Sequence, residues 1–322
     1  MQRLRPFPPL ALAAAALAGC DAPPQDGPIA VSAIGAAPRP GDPNRTPLRP
    51  NDRVLIGAVA QGLVRFDGAG QIEPGVARRW AVSDDGLYYT FRIDAAGVNA
   101  GVVAAMLRRA LAGSSRNPLK PVLGAIEEVV PVTPDVIEIR LHAPRPNLLQ
   151  LLAQPELAVR SGSGGTGPFR VAERRGGSLL LTPVTAEPPP PGTAIPGQVR
   201  LWPERAGLAI ARFAAGQTVA VIGGSFADLP IVRQSGIDAR MLRLDPVMGL
   251  FGLTFLDTSG FAGTAENRRA LAMAIDRDAL TPAFGAAEWR GSATLLPPGV
   301  PDLPNPARPD WIDTGIDGRR IL

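Results

Sequence analysis

Three glycines, Gly162, Gly164 and Gly167, stand in the stretch SGSGGTGPFRV (161–171) with the spacing G-x-G-x-x-G. That spacing suits a loop whose backbone amides cradle a dinucleotide pyrophosphate, provided a strand precedes it and a helix opens inside it. Here Pro168 follows at once, biases Gly167 away from helical backbone and leads into an extended Phe169-Arg170-Val171. No helix N-terminus faces the place where phosphate would sit. Gly165, Gly167 and Pro168 are therefore expected to form a structural turn into a strand, and no nucleotide cofactor is expected.

The other chemistry-bearing side chains give no catalytic set. His142 is the only histidine and closes a strand-like stretch, LHAPRP, with no nucleophile motif to serve. G-x-S-x-G, H-E-x-x-H and G-x-x-x-x-G-K-[ST] are all missing from the sequence. Asp84-Asp85, in SDDGLYY, reads as a turn before a strand rather than a metal site, and Asp276-Arg277-Asp278 as an ion pair at a helix end. Trp80, Trp202, Trp289 and Trp311 are expected to pack rather than stack on a ligand. No catalytic residue and no metal ligand is assigned.

The single cysteine excludes an internal disulfide. Residues 1–20, MQRLRPFPPLALAAAALAGC, run from Arg3 and Arg5 through an apolar stretch at Leu10–Leu17 to Leu17-Ala18-Gly19-Cys20. The order of charge, short apolar run and small residues is that of a secretory signal, too short to span a bilayer. The last four residues resemble the bacterial lipobox, which implies lipidation of Cys20 and a periplasmic protein anchored to a membrane. An ordinary cleaved signal is the alternative. Residues 21–52, rich in Pro, Gly and Asp, are expected to be a tether with a first short strand at Ile29–Ile34.

Length and composition allow two domains, and an apolar content of 45% supports a core. All but one of the 33 basic residues are arginine, and they are scattered. No basic stripe with interleaved aromatics occurs, so nucleic acid is not an expected partner.

Periodicity supplies the elements. LYYTFRI (87–93) alternates as a strand, with Leu87, Tyr89, Phe91 and Ile93 inward; VIEIRL (136–141) does the same with Ile137, Ile139 and Leu141. GVVAAMLRRAL (101–111) is a helix capped by Asn99, its stripe Val102, Val103, Met106, Leu107, Ala110 and Leu111. A short Leu-rich helix follows Pro146 at 147–153, and PFRV and SLLLTPV form a hairpin about Gly176-Gly177. Residues 204–216 read as a helix, 218–224 as a short buried strand, and MLRLDPVMGLFGLTFL as further extended segments. Residues 264–280 read as one helix, capped by Thr264, burying Leu271, Ala274 and Ile275 and ended by Pro282. TPVTAEPPPPGTAIPG (182–197) is a Pro-rich loop. Mixed strand and helix order predicts an α/β fold.

In this order the segments resemble a family. AQGLVRFDGAGQIEPGVARRWAVSDDGLYYTFRI (60–93), VIEIRLHAPRPNLLQLLAQPELAV, GTGPFRV, FAAGQTVAVIGG and NRRALAMAIDRDAL are similar to successive signatures of the extracytoplasmic solute-binding proteins of peptide, oligopeptide and nickel-type ABC importers. The resemblance covers about residues 55–300. It implies a periplasmic-binding-protein-like fold of type II, with a first lobe over 53–260 and an inserted subdomain over about 94–165. The second lobe is only begun, at 261–322, and is cut short at Leu322. It implies a peptide or other small solute as ligand and a membrane permease as partner. It also implies Phe255 and Leu256 as ligand-binding positions, at a family segment whose Asn is missing here. DAAGVNAG replaces a longer family element after residue 93, so the subdomain is expected to be trimmed. Gln217 and Ala220 stand where the family has an acidic pair. The alternative function is a degenerate member acting as an envelope scaffold, and a dinucleotide enzyme fits least.

Overall fold

The computed structural model describes residues 27–160, 165–185, 196–245, 249–257, 259–284, 289–299 and 304–321. The expected signal segment with Cys20, Gly162 and Gly164, and most of the Pro-rich loop lie outside these residues. The chain divides into two units, one up to Gly224 and one from Ser225 onward. The expected lobe boundary at 260 lies inside the second unit.

In chain order the first unit contains β1 (Ile29–Ile34), α1 (Pro50–Val59), β2 (Val64–Phe66), β3 (Ile72–Pro74), β4 (Ala77–Val82), β5 (Tyr88–Ile93), α2 (Ala100–Leu111), β6 (Ile126–Thr133) and β7 (Val136–Leu141). It continues with α3 (Leu148–Leu152), β8 (Phe169–Arg175), β9 (Ser178–Pro183), β10 (Val199–Glu204), α4 (Ala206–Ala214) and β11 (Ala220–Ile222). Two larger sheets result. One has the order β11-β1-β10-β9-β8, and the other β4-β5-β7-β6, with β2 and β3 paired as a small ribbon.

The four-stranded sheet follows from strict alternation. Tyr89, Phe91 and Ile93 on β5 and Ile137, Ile139 and Leu141 on β7 are buried on one face, and α2 covers them with Val103, Leu107 and Ala110. Each large side chain so buried contributes about 1.5–3 kcal/mol. The other face carries Arg92–Asp135 (3.1 Å) and Arg140 with Glu128 (2.8 Å) and Glu138 (2.7 Å), exposed pairs that add little. The Asn99 side chain accepts from the Val102 N–H, as a helix cap should. Val102 itself is exposed; Ala104 takes its expected place in the core, because the buried stripe is set by the sheet beneath. This sheet starts at Ala77, ahead of the expected subdomain start near 94, because β5 pairs with β7 along its length.

The five-stranded sheet is parallel at β11-β1-β10 and antiparallel from β10 through the hairpin β8–β9. Gly176 and Gly177 both hold positive φ, 58° and 79°, at the hairpin tip. Leu55 of α1 packs with Ala33, Leu179, Leu181 and Leu201 on one face, while α4 buries Ala209 and Ile210. β11 is a half-buried edge of three residues rather than a fully buried strand.

The chain passes between these two cores twice, at 60–64 and through 158–160 and 165–169, and the passes are tied together. Val159 N–H donates to Gln61 O (2.7 Å), the Thr166 hydroxyl donates to Val159 O (2.8 Å) and accepts from Gln61 N–H (2.8 Å), and Gly167 N–H donates to Val59 O (3.0 Å). Gly165 and Gly167 lie directly on the last turn of α1. A Cβ at Gly165 would strike Val59 O, and one at Gly167 would sit 2.5 Å from Ala58 O and Ala60 N.

The second unit holds α5 (Leu229–Gln234), α6 (Ala265–Ala274), α7 (Arg277–Phe284) and α8 (Ile316–Arg319). The single helix expected at 264–280 is broken. Thr264 caps α6 as foreseen, but Ile275 is extended (ψ 117°) and Asp276 starts a new helix by accepting from Ala279 N–H (3.0 Å). Arg277 donates to Ala272 O (2.7 Å) and Ile275 O (3.2 Å), satisfying carbonyls at the end of α6 instead of pairing with its neighbouring aspartates. Met273 is the buried residue of α6, Leu271 and Ala274 are exposed, Ile275 is half-buried, and Pro282 sits inside α7. Trp311 is buried beneath the guanidinium groups of Arg277 and Arg319. No strand forms in the described part of 241–256; a strand needs a paired edge, and Leu253 and Leu256 are left exposed.

Two glycine substitutions separate steric from conformational cost. Gly177→Ala meets open space and only a positive φ, and should cost about 1 kcal/mol. Gly167→Ala must displace α1 backbone and should cost at least about 2 kcal/mol. Chemical denaturation of both variants checks this; equal losses would mean that the crossing tolerates a side chain.

Candidate functional site

The carboxyl ends of β1, β10 and β11 meet along one edge of the five-stranded sheet. Because the three strands are parallel, their last residues, Ile34, Glu204 and Ile222, leave the sheet together, and open α/β sheets take ligands at this end. Gly35 N–H donates to Glu204 O (2.9 Å), and a Cβ at Gly223 would lie 3.3 Å from Ile34 O, so the strand ends are drawn close.

Polar side chains are buried beside this edge. Asn51, in the first turn of α1, is 2% exposed and donates to Ala36 O (3.0 Å) and Ala33 O (3.4 Å). Its Oδ1 is buried with no hydrogen-bond partner among the described residues. Asp52 accepts from Arg39 N–H (2.6 Å), Arg49 N–H (3.1 Å) and Arg49 Nε (2.8 Å). The Arg49 guanidinium, with the two backbone donors, holds the Asp52 carboxyl below the usual carboxylate range against the opposing effect of burial. On the α4 side, the Ser32 hydroxyl donates to Glu204 Oε1 (2.5 Å) and Arg212 Nε to the same carboxylate (3.2 Å). Arg212 also lies 4.6 Å over Trp202 and donates to Gln217 (3.2 Å), which gives the Gln at the family's acidic position a structural partner.

The residues singled out from sequence fall in different places. Gly165, Gly167 and Pro168 form the crossing described above, and Pro168 O accepts from Val184 N–H (2.8 Å). Phe255 and Leu256 lie in the second unit, in an irregular stretch, 41% and 97% exposed. His142 is exposed just beyond β7. Asp85 makes the turn expected of it, accepting from the Ser83 hydroxyl (2.5 Å) and Leu87 N–H (3.0 Å). Asn51 and Asp52 were missed. Their signal was present in PND directly before an amphipathic run, a helix start in which Asp52 stands at the third helical position.

Residues 71–314 match the profile described as bacterial extracellular solute-binding proteins, family 5 middle region. Among solved structures, OppA of Burkholderia pseudomallei is similar with a TM-score of 0.65 at 19% identity, over 91% of this chain and 65% of that one. DppA of Helicobacter pylori, an ABC transporter-associated periplasmic binding protein in complex with the peptide STSA, gives 0.61 at 18%, over 80% and 58%. NikZ of Campylobacter jejuni, in complex with Ni(L-His), gives 0.57 at 18%, over 80% and 55%. The chain thus spans less than two thirds of the length of each. No curated protein matches it.

The Asp52 geometry sets a pH dependence. A depressed carboxyl pKa contributes stability that is complete above its unfolded value of about 3.9 and is lost as pH falls through the lower folded value. Asp52→Asn should lower stability by about 2 kcal/mol at neutral pH, from lost charged hydrogen bonds. The gap to wild type should narrow below about pH 4. Denaturation curves at both pH values test this, and a gap independent of pH would remove Asp52 from the acid response.

Proposed function

The chain belongs to the bacterial extracellular solute-binding proteins of family 5, and we propose that it captures a peptide or related small solute outside the cytoplasmic membrane and presents it to the permease of an ABC importer. The family is one of binding proteins, and the mixed α/β architecture is that of type II periplasmic binding proteins. Among the described residues no helix is long and apolar enough to cross a membrane.

One observation carries the placement of the solute: the buried Asn51 Oδ1, without a partner, beside the converging carboxyl ends of β1, β10 and β11. An orphaned amide oxygen costs stability unless a donor reaches it. The N–H groups of a peptide supply such donors. The glycines at Gly35 and Gly223 leave the strand ends without side chains that would hold a solute off the backbone. In this proposal Cys20 carries lipid and keeps the protein at the membrane.

Three measurements test the proposal. A mixture of di- to pentapeptides at about 100-fold above Kd should stabilise the full-length protein by about 2.7 kcal/mol, and Asn51→Ala should weaken calorimetric affinity by about tenfold. Absence of any peptide-dependent stabilisation would overturn the ligand class; an unchanged affinity in Asn51→Ala would overturn the site. Cys20→Ala should move the protein from the membrane fraction to the soluble one, and a variant that stays membrane-bound would refute the anchor.

A further inference from the structure

The loop between β1 and α1 gathers arginines from three parts of the chain. Arg174, at the tip of the β8–β9 hairpin, donates to Pro38 O (3.3 Å); Arg160 donates to Gly41 O (2.8 Å); and Arg116 N–H donates to Asn44 O (2.8 Å). These contacts place Arg116, Arg160, Arg174 and the adjoining Arg175 alongside the loop's own Arg39 and Arg45. All six are exposed and none makes a close ion pair among the described residues, though the Asp42 carboxylate acts on Arg160 at longer range. The neighbouring charges are already neutralised: Arg49 by Asp52, Arg53 by Glu156 and Glu173 by Arg200. Asp42 is the one carboxylate left in the loop, with Oδ1 accepting from Asn44 N–H (3.0 Å).

We propose that this arginine ridge is a docking surface for an anionic phospholipid bilayer. Its makeup distinguishes a lipid surface from a protein one. Protein interfaces set their arginines among large apolar or aromatic anchors. Among the described residues of 35–49, 113–117 and 173–177, no large apolar side chain is exposed. What the ridge offers is charge on three adjoining loops, and the guanidinium fork matches phosphate oxygens two at a time. Each such group near an anionic leaflet strengthens binding by about fivefold, an attraction that salt screens.

The test is co-sedimentation of the full chain carrying Cys20→Ala, so that no acyl chain contributes. The vesicles are equal parts phosphatidylglycerol and phosphatidylcholine, against phosphatidylcholine alone. Wild-type side chains should bind the anionic vesicles at low salt and release at high salt. The ridge variant Arg39→Glu/Arg175→Glu should bind at least about 25-fold more weakly. A control with the same change in net charge, Arg79→Glu/Arg109→Glu, lies on β4 and α2 and should keep its affinity. Equal losses in the two variants would reduce the effect to net charge, and failure to bind the anionic vesicles would leave the ridge to a protein partner; either result overturns the proposal.

Discussion

Between its two sheets the first unit narrows to a gap in which backbone lies directly against backbone. Gly62, Gly75, Gly165 and Gly167 fill it: a Cβ at Gly62 would strike Leu152 O, and one at Gly75 would sit 2.5 Å from Gly62 O. The same gap holds the Thr166 hydroxyl, which closes hydrogen bonds from both passes of the chain. Close approach matters here because buried amides need partners, and side chains would hold those partners apart. The two cores keep their mutual placement because the connecting segments are paired to each other and to the end of α1. The glycine spacing that resembles a phosphate loop is thus occupied, within its described part, by protein backbone.

Much of the first unit was legible in the sequence, for physical reasons that the residues show. β5 and β7 alternate cleanly because only one face is covered, and α2 and its Asn99 cap follow from one amphipathic stripe. The hairpin at Gly176-Gly177 announced itself by two residues that tolerate positive φ. What failed was tertiary in origin. Val102 fits the helical stripe as well as Ala104 does, and only the sheet beneath decides between them. The helix at 264–280 has unbroken helical periodicity, yet a capping aspartate and an arginine that reaches back to carbonyls split it at Ile275. The polar edge was the least legible part, because the strand ends that form it come together through long-range pairing rather than through spacing.

Burial divides the arginines into two kinds of work. Where a carboxylate is buried, an arginine reaches it from the surface: Arg53 is half-exposed while its partner Glu156 is fully enclosed, and Arg49 stands in the same relation to Asp52. Removing the cation from such a pair would strand a buried charge, so these positions are constrained by the fold. The ridge arginines carry no such constraint, since no buried carboxylate depends on them.

The loop at 35–49 is where these constraints meet. Its start is fixed by the first turn of α1, through Asn51 on Ala36 O and Arg39 N–H on Asp52. Its middle is held by the other body: Asn117 donates to Asn44 Oδ1 (3.0 Å), the Ser115 hydroxyl reaches the same oxygen (3.3 Å), and Arg53 joins α1 to Glu156. Asn117 is itself buried and spends its own Oδ1 on Leu119 N–H (3.0 Å), so it has little freedom to let go. The four-stranded sheet and its helix therefore support the loop that leaves the carboxyl end of β1. A four-stranded sheet that only decorated the fold would have no need of a buried asparagine and a buried glutamate at this junction. Their presence ties the position of that loop to the packing of a core formed by quite separate residues.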